Sequence, residues 1–185
     1  MGKNRTGIIL KIAEKRTTFN WIFFLLVLVL GKGTPSMVLA GVPFIAAGLL
    51  LRVLSSGIIK KNEILTDTGP YGMCRHPLYL GSFLVSAGLV IVSNSVFVLI
   101  YFLVFFPLTY IPTMFSEERF LSEKFGDKYL LYRKQTPMII PGIRKVNLKN
   151  FSWRRVNLNR EYVNWMIVLF LLAAALIKSK AVFYN

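Results

Sequence analysis

An arginine, a histidine and a proline stand together at Arg75-His76-Pro77, and two adjacent carboxylates follow at Glu117-Glu118. His76 is the only histidine and Cys74 the only cysteine, so the sequence holds no Cys/His set at zinc spacing and no intrachain disulfide. The chemistry open to this group is proton transfer by His76 or a carboxylate, bidentate capture of a carboxylate or phosphate by Arg75, and binding of an ammonium by the carboxylates. Gly69, Gly72 and Gly81 flank the first cluster and permit close backbone approach to a ligand. Each member taken alone has a plainer use. An arginine beside a membrane snorkels to lipid phosphates, and paired glutamates suit the first turn of a helix.

The elements that must position these groups are apolar. Hydrophobic residues make up 55% of the chain and charged residues 17%, with a mean hydropathy of +0.55. Soluble domains carry about 25% charged residues, so lipid as well as a core is expected around the apolar side chains. Apolar runs cover residues 19–30, 37–54, 79–93, 96–115 and 162–177. The sequence therefore predicts an all-α integral membrane protein, one membrane domain over 1–185 with about five transmembrane helices, the last being 162–177. Several runs fall short of the ~20 residues that cross a bilayer, and 19–30 is the shortest.

Charge orients the expected spans. With a cytoplasmic N-terminus, 20 basic residues lie inside and 3 outside (Lys32, Lys178 and Lys180), as the positive-inside rule requires. The same distribution assigns the net charge of +15 to anionic lipid head groups rather than nucleic acid, because no basic stretch is interleaved with aromatics. Asn94-Ser95 is a tight turn, so the runs on either side form an antiparallel hairpin. Arg75-His76 and Glu117-Glu118 then sit at neighbouring helix ends, about 8–10 Å apart between axes. Ionisable groups at a membrane boundary mark a site by default.

The polar segments complete the plan. Residues 7–18 suit an interfacial amphipathic helix, and 68–72 carry a Gly-Pro turn signature. Residues 116–134 read as a helix capped by Ser116, with Glu117 and Glu118 in its first turn and a break at Gly126. Pro107 and Pro112 are placed to bend the preceding span and open a cavity. Pro137 and Pro141 stop any helix, and 146–160 form a basic connector.

The run Gly69-Pro70-Tyr71-Gly72-Met73-Cys74-Arg75-His76-Pro77-Leu78-Tyr79-Leu80-Gly81 resembles the G-x-Y-x-x-x-R-H-P-x-Y-x-G signature of the isoprenylcysteine carboxyl methyltransferase and phospholipid methyltransferase superfamily. The run from Glu117-Glu118 through Phe125-Gly126, Tyr129 and Tyr132 to Pro137 and Pro141 resembles the second half of that signature, which makes 69–141 the signature region. The resemblance implies S-adenosylmethionine (SAM) as methyl donor, held in a cytoplasmic pocket of loops and a short helix. It implies His76, Pro77, Tyr79, Leu80, Gly81, Glu117, Glu118 and Tyr132 at the cofactor, and Arg75, His76 and Glu118 in catalysis. The acceptor is then a lipophilic molecule or lipid, a prenylcysteine-type carboxylate or a phospholipid amine. The run at 162–177 departs from the pattern, since such chains commonly end soon after the terminal proline. Two alternatives stand beside this reading. One is an NADPH-dependent reductase of the sterol reductase type, whose related motif commonly has Asn where this chain has Leu78. The other is a non-enzymatic basic membrane anchor.

Overall fold

A computed structural model describes residues 15–60, 63–143 and 146–183, the last four by backbone alone. The described residues are all helical or irregular, with no strand among them. The helices are α1 (Arg16–Leu30), α2 (Pro35–Ile58), α3 (Pro70–Met73), α4 (Pro77–Ser93), α5 (Val96–Phe125), α6 (Asp127–Gln135), α7 (Trp153–Leu158) and α8 (Glu161–Phe183). The amphipathic helix expected at 7–18 lies almost wholly outside the described residues.

The chain is an all-α integral membrane protein. Three helices are long and apolar enough to cross a bilayer, namely α2, α5 and the part of α8 from Glu161 to Ser179, while α1 and α4 are shorter apolar helices. Large apolar side chains point outward, as at Leu39 (75% exposed) and Phe97 (73%). A water-facing helix reverses that pattern. The interior is a cluster of Phe23, Val27, Ile45, Val85, Leu89, Val98, Phe102, Val168 and Leu171, drawn from all five long helices.

The five long helices alternate in direction. At one end Lys32 N donates to Ser93 O (2.8 Å), and Lys178 Nζ reaches the carbonyls of Leu28 and Val29. At the other end the starts of α1, α4 and α8 meet the ends of α2 and α5. The α2–α4 pair sets this frame through two facing glycine pairs. A Cβ on Gly48 would lie 2.6 Å from Gly81 O, and one on Gly41 would lie 2.6 Å from Gly88 O. Only hydrogen at these positions lets the backbones approach so closely, which gains dispersion contacts where lipid supplies no hydrophobic drive.

Two breaks in the helices aim the site. Asn94 adopts the left-handed conformation (φ 46°, ψ 40°) and turns α4 into α5 at once. Gly126 (φ 53°, ψ −130°) separates α5 from α6 in a region closed to other residues, and no neighbouring atom would obstruct a side chain there. The expected start of a helix at Ser116 is corrected: α5 runs unbroken from Val96 through Phe125. Nothing between Pro112 and Gly126 disfavours helical dihedrals, so Glu117 and Glu118 lie in the closing turns of a 30-residue helix rather than at a fresh N-terminus. Likewise 68–72 is a turn at Gly69 (φ 60°) followed by the single helical turn α3. The basic connector 146–160 contains α7, whose Val156 is buried.

Candidate functional site

The two motifs meet through the backbone before any side chain is considered. Arg75 N donates to Pro137 O (2.9 Å), His76 N to Met138 O (3.1 Å), and Gly142 N to Met73 O (2.9 Å). The stretch after α6 thus lies along the stretch that leads into α4. Prolines on both sides keep the segments extended and free to pair. Tyr132 of α6 fastens the same junction by donating to Tyr71 O (2.7 Å).

Onto this junction α5 delivers its two glutamates, and adjacent positions on a helix point about 100° apart. They consequently have different surroundings. Glu118 is buried at 4% exposure and accepts from Arg75 Nη2 at 2.8 Å, with His76 Nε2 at 3.3 Å and Arg133 Nε at 3.7 Å. Arg75 also donates to the carbonyls of Arg133 (2.8 Å) and Thr136 (3.2 Å). Glu117 is half exposed, accepts from the Tyr79 hydroxyl, and lies 3.8 Å from His76 Nδ1. The His76 ring stacks on Tyr79, with 5.6 Å between centroids and 18° between planes. Burial pushes the His76 pKa below its ordinary 6.5, against the opposing pull of Glu117 and Glu118, so the imidazole is neutral at pH 7. Burial lifts the Cys74 thiol to about 11, which leaves it inert as a nucleophile.

Beside this junction lies a cavity of about 530 Å³, within the ~300–1,000 Å³ typical of small-molecule sites. Arg75, His76, Pro77, Tyr79, Glu117 and Tyr132 line it. Three expected site residues do not. Gly81 faces α2, where a Cβ would lie 2.6 Å from Arg52 Cγ, so its absent side chain serves helix packing. Leu80 is turned off the cavity wall by the helical rotation that brings Tyr79 onto it. Glu118 lies behind the wall, its oxygens taken up by Arg75 and His76.

The structure also adds residues that sequence reasoning missed. The Tyr71 hydroxyl is buried without a hydrogen-bond partner among the described residues, and its side chain lines the cavity. Burial holds its pKa well above 10, so it keeps its proton. Arg16 of α1 donates to the Tyr79 hydroxyl at 3.0 Å. Arg52 of α2 grips Glu161 of α8 with two parallel bonds of 3.0 and 2.9 Å and also donates to Ser82 Oγ at 2.6 Å. Two ionisable groups at opposite ends of separate apolar runs, Arg52 closing one and Glu161 opening another, were the available signal for this pair.

Comparison with known families assigns the chain to one of them. The phospholipid methyltransferase family matches residues 36–128, half of the 185-residue chain. The chain belongs to that family. It is 35% identical over 82 residues to the cobalt-zinc-cadmium resistance protein CzcN of Cupriavidus metallidurans, covering 44% of this chain and 38% of that protein. It is 35% identical over 101 residues to the nickel-cobalt-cadmium resistance protein NccN of Alcaligenes xylosoxydans xylosoxydans, covering 55% and 46%. With the protein-S-isoprenylcysteine O-methyltransferase of Schizosaccharomyces pombe it shares 35% identity over 82 residues, covering 44% and 34%. The matched stretch thus spans less than half the length of each of these relatives. No solved structure matches the chain. The matched family region ends soon after Glu118, so α1 and α8 both lie outside it.

Proposed function

We propose that this protein transfers a methyl group from SAM to a lipophilic acceptor at the cytoplasmic face of a membrane, the acceptor bearing a prenylcysteine-type carboxylate or a phospholipid amine. The observation that carries the reading is the junction itself. The two family motifs are hydrogen-bonded to each other through Arg75-His76 and Pro137-Met138, and side chains from both line one cavity. The donor's needs fit what is present. Glu117 offers a half-exposed carboxylate to an ammonium or ribose hydroxyls, and the Tyr71 hydroxyl is a buried donor in need of an acceptor.

When bound, SAM supplies an electrophilic methyl group on a positively charged sulfur. The protein's share is alignment and exclusion of water. Glu118 acts through others: it fixes Arg75 against the α6 carbonyls and holds the neutral His76 ring over Tyr79. An acceptor carboxylate needs no base. An amine acceptor gives up a proton, and neutral His76 with Glu117 at 3.8 Å from Nδ1 is the group able to take it. The basic residues, 20 on the side of the site against 3 on the other, support a cytoplasmic site and an attraction to anionic lipid head groups.

The deciding experiment is calorimetry on the purified chain in detergent with SAM and, separately, NADPH. SAM binding that weakens in His76→Ala and Glu117→Ala supports the proposal. Binding of NADPH alone replaces it with the reductase reading, and binding of neither replaces it with the anchor. Incubation with radiolabelled SAM and a total lipid extract then identifies the acceptor by its label.

A further inference from the structure

Methyl transfer needs two molecules in one cavity, and the family motifs line only one side of it. Part of the remaining lining comes from helices outside the matched region: Arg16, Asn20 and Phe23 of α1, and Glu161, Asn164 and Val168 of α8. Resting on the methyl-transfer reading above, we propose that α1 and α8 build the acceptor compartment of this enzyme, and that it takes an amphiphile with an anionic head and an apolar chain.

Arg16 occupies the polar end. Its guanidinium lies over the rings of Tyr79 (5.4 Å) and Tyr110 (5.7 Å) and donates to the Tyr79 hydroxyl, which in turn donates to Glu117. Among the described residues only one of its five N–H groups is engaged. Arg16 lines the cavity, one hydroxyl away from Glu117.

The floor is the Arg52–Glu161 fork. Asn164 Nδ2 tightens it by donating to Glu161 Oε2 at 3.1 Å. This pair cancels its own charge and fixes α8 against α2 and α4, which makes it a wall rather than an anion receptor. The lining also includes the apolar Phe23, Leu49, Val85 and Val168, against which a chain can lie.

Charge selects the head. Arg52 is matched by Glu161 and Arg75 by Glu118, while Arg16 reaches Glu117 only through Tyr79, and Lys60 at the mouth is exposed. A SAM molecule adds a net positive charge to this space. A cationic head would deepen the excess in a poorly hydrated cavity, and an anionic head relieves it. The α8 helix is accordingly part of the site, not a bare anchor.

The test uses the full chain in detergent with two photoactivatable probes. Each carries a diazirine midway along a saturated chain, one with a carboxylate head and the other with a trimethylammonium head. The expected result is labelling of Val168 or Phe23 by the carboxylate probe, about tenfold weaker with the trimethylammonium probe and in Arg16→Met, and restored in Arg16→Lys. The ratio of labelling by the two probes falls to about one in Arg16→Met, and retained SAM binding in both variants shows that they fold. Labelling confined to outward residues such as Leu169 and Phe170, or equal labelling by both probes, overturns the proposal. Loss of SAM binding in Arg16→Met overturns it too, since Arg16 then belongs to the donor. Wild-type protein that takes the carboxylate probe at Val168 but binds no SAM sinks the methyl-transfer reading while leaving an anionic amphiphile site in place.

Discussion

Removing one oxygen atom tests the proposed donor site most directly. Tyr71→Phe leaves the buried ring in place and deletes a hydroxyl that has no partner among the described residues. An unsatisfied buried hydroxyl costs about 1–3 kcal/mol, so the ligand-free variant is expected to be as stable as the parent or more so, by up to that amount. At roughly 2–4 °C per kcal/mol for a chain of this size, Tm rises by as much as several degrees. In the proposed SAM complex this hydroxyl gains an acceptor and the effect reverses. A hydrogen bond to a charged group is worth about 1.5–3 kcal/mol, so affinity falls about ten- to a hundredfold. Calorimetry with SAM and thermal unfolding in the same detergent read the two effects on one preparation. The reasoning is refuted if Tm drops while SAM affinity is unchanged, because the hydroxyl would then be bonded within the protein.

Other expectations follow from the same structure. Glu118→Ala strands the buried Arg75 charge and is expected to cost about 3–5 kcal/mol in denaturant unfolding, whereas Glu118→Gln keeps an acceptor for Arg75 and costs clearly less. Gly126→Ala meets no neighbouring atom, so its loss of about 1–3 kcal/mol is backbone strain alone, and it should appear as earlier proteolysis within α6. Gly48→Leu drives a side chain into Gly81 O and should prevent α2 and α4 from packing, seen as loss of the monodisperse folded peak on size-exclusion chromatography. His76 is held below its ordinary pKa by burial. As pH falls below about 6.5 the unfolded chain gains a proton that the folded chain resists. Stability should therefore be full above that pH and decline beneath it, and His76→Gln should flatten the decline.

Much of this arrangement was legible in the sequence because local rules govern it. Apolar runs set the long helices, Asn94 and Gly126 marked the breaks through their left-handed or glycine-only dihedrals, and a two-residue turn forced Arg75-His76 beside Glu117-Glu118. The family signature was likewise written in consecutive residues. The expected helix start at Ser116 is a continuation of α5, since a capping residue followed by acids looks the same whether a helix begins there or simply continues.

What the sequence determined by itself was which chemical groups exist, on which helices, and at which end of the bundle. The tertiary structure decided which of them face the cavity. Glu117 and Glu118 are neighbours in sequence, yet one lines the cavity and the other is sealed against Arg75, because the angle at which α5 meets the 73–76 segment fixes their directions. Arg52 and Glu161 are 109 residues apart, and no periodicity links them. They pair because α8 packs against α2 beside α4, where Arg52 also reaches Ser82. Burial then makes an unpaired charge there too costly to leave.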